Sequence, residues 1–289
     1  MRYYRADKDE TISLIAQEGS RWYNLTNTDP APESFLELAA AASLTEESVD
    51  DVARQVRDGA PTVEPATVQE NLIRPIDPDE IWGAGVTYAI SQEARENEGG
   101  LAESYIHAYE NERPEVYFKA TPSRTVGPHD TIGIRGDSAW DVPEPELSIV
   151  MYDDEIVGYT AGNDVCSRSI ERENLLYLPQ SKIYSKSCAI GPCISTENTI
   201  DDPLDLEMGM TISRDGNNVF EEATSTKEMV RSCEELVEYY TRYNTVPEST
   251  VLLTGTSIIP PDNFTLEDGD TVTIEIENIG ALTNTVEQL

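Results

Sequence analysis

From residue 81 onward the sequence returns again and again to short runs of apolar and β-branched residues, and once to a long helical pattern. The strand candidates are Ile81 to Val86, Val116 to Lys119, Leu147 to Tyr152, Ile156 to Asn163, Leu206 to Arg214, Val251 to Thr254 and Thr271 to Ile279. The helix candidate, Glu228 to Tyr243, carries Met229, Leu236, Val237 and Tyr240 roughly on one face. Strands that do not alternate with helices argue against a doubly wound parallel sheet and predict a mainly β (α+β) chain. No Gly-rich phosphate loop of Walker or Rossmann type interrupts them, and no internal repeat is visible.

The first 70 residues read differently. Tyr3-Tyr4-Arg5, Ile12 to Ala16 and Trp22 to Leu25, broken by Gln17-Glu18-Gly19-Ser20, predict short antiparallel strands. Pro32 to Ala42 and Leu44 to Arg57 have helical spacing, and Ser43 with Glu46 forms a capping box for the second helix. A Pro-containing stretch, Gly59 to Pro65, then leads to Leu72-Ile73-Arg74-Pro75. The expected organisation is a small N-terminal α+β domain over 1–70 and a larger, mainly β domain over 71–289.

Charge limits the partners. The chain has 55 acidic residues against 20 basic ones, a formal charge of −35. Such a field repels phosphate backbones and anionic lipid, so neither nucleic acid nor a membrane surface is expected as a partner. Apolar runs fall far short of the roughly 20 residues a membrane span needs. The opening Met1-Arg2-Tyr3-Tyr4-Arg5 leads into polar sequence, so a cytoplasmic chain is expected. Acids are interspersed through strand-like runs such as Thr271 to Ile276 and not gathered in blocks, which marks a folded surface. Five of the 20 bases are Lys. A surface rich in carboxylates and poor in Lys predicts a protein kept compact by concentrated salt. Diluting KCl from about 1 M to about 0.1 M lengthens the Debye length from about 3 Å to about 10 Å and restores the self-repulsion. The melting temperature is therefore expected to fall on dilution, and an unchanged one overturns the salt reading.

Cys166, Cys188, Cys193 and Cys233 form no CxxC pair, and the two histidines are His107 and His129. A structural zinc site would need an unusual ligand set, so free, partly buried thiols are expected.

The stretch that carries chemistry is Trp140 to Val150. In an extended strand Glu144 and Glu146, two residues apart, aim at one point. The same pair also suits a solvated strand edge in a very acidic protein. Asp164, however, closes the apolar run of the next strand candidate, and an acid buried there is costly without a partner. Three carboxylates from paired strands suit a hard divalent ion such as Mg²⁺, with Mn²⁺ or Ca²⁺ also compatible.

Across about residues 75 to 289 the motifs follow one another in a specific order. They are Gly85-Val86-Thr87-Tyr88, Tyr117-Phe118-Lys119 with Pro122-Ser123, Glu144-Pro145-Glu146, and Gly158-Tyr159-Thr160 with Asn163-Asp164-Val165 and Arg168. Lys182 with Gly191-Pro192, Leu253-Thr254-Gly255-Thr256 and Asp268-Gly269-Asp270 complete the set. In this the chain resembles the fumarylacetoacetate hydrolase family. The resemblance implies a mixed β-roll catalytic domain, a divalent metal on Glu144, Glu146 and Asp164, and a homodimer or homotetramer. It also implies a bound 2-keto acid held by Lys182 and the Thr254-Gly255-Thr256 turn. Gly85, Thr87, Tyr88, Lys119, Ser123, Arg168 and Gly255 are expected to bind the substrate, and Lys182, Glu115 and Thr256 to serve catalysis. Lys119 has an alternative role in a structural ion pair, as does Arg168, while Glu115 has one as a surface acid.

Departures from the family pattern narrow the chemistry. Where the carbon–carbon hydrolases of this family carry a water-activating His, three residues after Tyr88, this chain has Ser91. Neither His107 nor His129 is expected to replace it, and Ser185 stands where an Asp often follows Lys182. The run Ser167 to Lys182 resembles the branch that dehydrates 2-keto-3-deoxy sugar acids. The expected reaction is dehydration of a 2-keto-3-deoxypentonate, of the arabinonate or xylonate type, to 2-oxoglutarate semialdehyde. Glu115 is one candidate base; Lys182, if desolvation lowers its pKa, is the other. An acylpyruvate hydrolase, with Glu93 or Glu115 as base, and a non-catalytic keto-acid binder are the rivals.

Overall fold

The computed structural model describes residues 1–88 and 113–289. Its largest sheet runs, in spatial order, through Arg21–Asn24, Thr11–Glu18, Arg2–Lys8, Cys188–Ser195, Glu155–Asp164, Pro145–Tyr152, Ser249–Leu253, Glu80–Gly85 and Glu115–Ala120. Leu72–Ile73 and Thr125–Val126 pair off this path. A five-stranded sheet orders Asn217–Ser225, Glu207–Arg214, Thr271–Ile276, Gly280–Gln288 and Thr131–Ile134. Most pairings are antiparallel, but Ser249–Leu253 runs parallel to Glu80–Gly85, and Gly280–Gln288 parallel to Thr131–Ile134. This is the mixed, mainly β architecture expected.

The middle of the large sheet is apolar on both faces, because layers cover it on both sides. Every residue of Pro145–Tyr152 and Cys188–Ser195 is buried. Pro145–Tyr152 and Glu155–Asp164 form a hairpin around Asp153 and Asp154, both left-handed at φ 51° and 71°. A two-residue turn of that hand matches the strand twist, and Asp tolerates it better than most residues. The turn sets Tyr152 opposite Glu155, and a bulge between Val150 and Met151 then shifts the ladder by one residue, so Pro145 faces Asn163 and Glu146 faces Gly162. The N-terminal hairpin extends the same sheet, through Arg2↔Ser195 and Tyr3↔Ile194.

Three local expectations are corrected. Ser43 is not a cap: the first helix, Phe35–Thr45, is capped by Ser34 accepting from the Glu37 N–H, and Glu46, at φ 56°, ends it. The apolar face Phe35, Leu38, Ala39, Ala42 carries the helix through Ser43, and Ser48 caps the next, Val49–Arg57. The late helix shortens to Cys233–Thr241, started by Ser232 accepting from the Glu235 N–H, and leaves Met229 outside. Thr271 to Ile279 stops as a strand at Ile276 and turns at Asn278, φ 62°, into Gly280–Gln288. The four cysteines are free and buried, as expected. Among the described residues no helix is long and apolar enough to cross a membrane.

Candidate active site

The hairpin that organises the sheet also assembles the acidic site. Glu144 immediately precedes Pro145–Tyr152, Glu146 is that strand's second residue, and Asp164 ends its partner. The ladder continues past Pro145, with the Asp164 N–H donating to the Glu144 carbonyl at 2.9 Å. One oxygen from each of the three carboxylates lies within 4.8 Å of the others, and all three residues are buried. Burial, and then the charge of Asp164, push the Glu146 carboxyl well above its usual range. Burial acts on Asp164 in the same sense, but Lys119 and Lys182 outweigh it and hold that group low.

Four side-chain donors surround the trio. Lys119, fully buried, lies 2.5 Å from Asp164 Oδ1 and donates to the carbonyls of Val165 (3.0 Å) and Lys182 (2.6 Å). The Lys182 ammonium lies 2.6 Å from Glu144 Oε2 and 3.1 Å from Asp164 Oδ2. Arg168 places Nη2 2.9 Å from Glu144 Oε1 and Nη1 2.9 Å from Glu171 Oε2. Tyr117 donates to Asp164 Oδ2. Burial alone would lower the Lys182 pKa, but Asp164, Cys166 and Glu144 raise it well above the usual range, so Lys182 is a cation here and its neutral form is disfavoured.

Strand alternation brings a further acid to the same face. In Glu115–Ala120, Glu115 and Tyr117 share a face by alternation, and Lys119, at the bulge before Ala120, reaches Asp164 as Tyr117 does. A Cβ on Gly85 would stand 2.0 Å from Glu115 Oε2, so glycine there is what lets the carboxylate lie against the neighbouring strand. Burial raises the Glu115 pKa, against a smaller opposing effect of Lys182. Gly255, at φ +87°, donates its N–H to Glu146 Oε2 at 2.6 Å. Its turn is pinned by Thr87, whose hydroxyl donates to the Thr254 carbonyl. Tyr88 is buried, and its hydroxyl has no hydrogen-bond partner among the described residues.

The remaining candidates are more peripheral. The Thr256 hydroxyl, half-buried, accepts from the Ile258 N–H at 3.1 Å. Ser123 is exposed, its hydroxyl 2.9 Å from that of Thr121, and Ser185 is exposed too. His129 is exposed, with Nε2 3.2 Å from the Gln69 carbonyl. Ser91, Glu93 and His107 lie outside the described residues. Sequence reasoning missed Tyr117, which shares the period-two face of Glu115. It also missed Glu171, which holds Arg168 from three residues away on the helix Arg168–Glu173. Hard carboxylate oxygens, buried and mutually repelling, fit a divalent cation bound by the trio.

The profile described as fumarylacetoacetate (FAA) hydrolase C-terminal matches residues 80–287, and the chain belongs to the fumarylacetoacetate hydrolase family. Within it, the chain is 53% identical over 286 residues to the probable 2-keto-3-deoxyxylonate dehydratase of Haloferax volcanii, covering 99% of each. It is 44% identical over 223 residues to the 2-dehydro-3-deoxy-D-arabinonate dehydratase of Saccharolobus solfataricus, covering 75% of this chain and 74% of that one. A solved structure of 2-keto-3-deoxy-D-arabinonate dehydratase complexed with magnesium and 2,5-dioxopentanoate matches with TM-score 0.85 at 34% identity, over 100% of this chain and 99% of that one.

Proposed function

We propose that this chain is a divalent-metal-dependent hydro-lyase that dehydrates a 2-keto-3-deoxypentonate to 2-oxoglutarate semialdehyde, as a cytoplasmic step of oxidative pentose breakdown. The observation that carries the reading is the buried Glu144, Glu146 and Asp164 trio, flanked by Lys119, Lys182 and Arg168. Its 53% identity, over nearly the whole of both chains, to a probable dehydratase of this substrate class supports it.

Mg²⁺ is the ion we assign to the trio, Mn²⁺ and Ca²⁺ being compatible with the same donors; when bound it polarises the adjacent carboxylate and keto oxygens of the substrate and acidifies the C3 proton. Glu115 accepts that proton: its half-buried carboxylate has a pKa raised by desolvation, which makes it a stronger base than a surface acid. Lys182 supplies positive charge beside the substrate oxygens and is the proton donor to the departing C4 hydroxyl, which leaves as water. A further proton shift gives the C5 aldehyde. Arg168, braced by Glu171, orients Glu144. The Gly85 to Tyr88 and Thr254 to Thr256 turns wall the substrate.

Purified protein in molar KCl with Mg²⁺ is expected to form an aldehyde from 2-keto-3-deoxypentonates with loss of water. Pyruvate released from an acylpyruvate at a matching rate rejects the dehydratase reading in favour of a hydrolase. Glu115→Gln should lower kcat by about 10²- to 10⁴-fold. In the wild type, kcat should fall as pH drops through the raised Glu115 pKa, so its acid limb lies above the ordinary carboxylate range. An acid limb within the ordinary range removes Glu115 as the base.

A further inference from the structure

The trio already shares its oxygens with donors of the chain, and these donors are unequally held. Glu144 gives Oε1 to Arg168 and Oε2 to Lys182; Asp164 gives Oδ1 to Lys119 and Oδ2 to Lys182 and Tyr117; Glu146 gives Oε2 to Gly255. Lys119 is anchored by two backbone carbonyls, Arg168 by Glu171, and the Gly255 donor is backbone. The Lys182 ammonium has Glu144 and Asp164 as its hydrogen-bond and ion-pair partners among the described residues, with the Tyr117 ring 5.7 Å away. What is fixed in Lys182 is its backbone, whose carbonyl accepts from Lys119 at 2.6 Å and from the Ser187 hydroxyl at 2.9 Å. Its charge rides on a flexible four-carbon stem.

We propose that the Lys182 ammonium is the internal occupant of the cation site, bridging Glu144 and Asp164 until a divalent ion enters and then swinging out toward the substrate. The proposal rests on the metal-site reading above. An ammonium hydrogen-bonded to two ligand oxygens would stand within about 4 Å of an ion bound to those oxygens at about 2.1 Å, and like charges that close in a buried pocket repel strongly. Of the surrounding donors, Lys182 gives up the fewest other contacts on leaving. Once displaced, its three N–H groups need new acceptors, and the substrate's oxygens are the ones that arrive. Metal and substrate therefore favour each other's binding, reciprocally.

Calorimetric titration with Mg²⁺ at fixed KCl, on the wild type, Lys182→Met and Glu146→Gln, tests this. Lys182→Met is expected to bind Mg²⁺ at least about tenfold tighter than the wild type, and Glu146→Gln at least about tenfold weaker. Unchanged or weaker binding in Lys182→Met, with Glu146→Gln still weakened, overturns the swing and leaves the metal site standing. Equal affinity in the wild type and Glu146→Gln sinks the metal site itself, and the swing with it. A crystal structure of the wild type with Mn²⁺ reads the same point if Lys182→Met does not fold. Nζ is expected beyond hydrogen-bond distance of Glu144 Oε2, and an Nζ that stays at 2.6 Å beside the bound ion overturns the proposal.

Discussion

Glu146→Gln is expected to lower turnover by about a thousandfold or more, while the metal-free fold becomes no less stable. A neutral amide is a poor ligand for a hard cation, and losing several kcal/mol of Lewis-acid stabilisation costs about a factor of ten per 1.4 kcal/mol. The stability half follows from linkage. Burial, and then Asp164, raise the Glu146 pKa in the folded state above its unfolded value. The folded state therefore holds the proton more tightly, and its advantage is complete below the ordinary Glu pKa. That advantage is lost as pH rises through the raised value. Gln carries no such proton, so in the presence of chelator its melting temperature should depend less on pH above the ordinary Glu pKa. Full activity in the variant would show that Glu146 does not bind the ion, and an undiminished pH dependence that it does not carry the buried charge.

Lys119→Met is expected to be the most destabilising single change at the site. The ammonium is fully buried, pairs with Asp164 and holds the carbonyls of Val165 and Lys182, so it ties two segments of the site to one strand. Methionine fills the space and leaves a buried carboxylate short of its counter-charge and two carbonyls short of a donor. Removing one partner of a buried pair costs about 3–5 kcal/mol. That corresponds to a fall in Tm of roughly 5–8 °C for a chain of this size. A Tm within about 2 °C of the wild type would mean Asp164 is satisfied by Lys182 and Tyr117 alone.

Much of this was readable in the residues, because period-two patterns and costly buried acids are local signals. Asp164 at the end of an apolar run, with Glu144 and Glu146 beside it, needed only the pleat of a strand to be brought together. Tyr117 obeyed the same pleat but was hidden by its ordinariness as an aromatic in a strand. The strand Cys188–Ser195 was not legible: Gly191-Pro192 at its centre looks like a turn, and small Cys, Ala and Ser residues carry little strand signal. It is nevertheless buried throughout and joins the N-terminal hairpin to the core. Asn217–Ser225 was hidden for the opposite reason, since an outer strand facing solvent has few apolar residues to reveal it. The pairing of Lys119 with Asp164, and of Arg168 with both Glu144 and Glu171, belongs to tertiary geometry that no spacing rule encodes.

The strand order has a consequence for how the molecule comes into being. Arg2–Lys8 finds its neighbour near residue 190, and Glu80–Gly85 finds one near residue 250. Contacts so distant along the chain repay the entropy of loop closure late, which slows folding. On the ribosome, the first hairpin and the strand after residue 80 must wait, with open edges, for most of the polypeptide to emerge. The Glu146 and Asp164 strands can meet as a hairpin early, but Gly255, which fastens Glu146, arrives about a hundred residues later. The site is therefore completed only once Gly255 has emerged, and a growing chain of this kind passes through a long interval in which exposed strand edges invite the wrong neighbours.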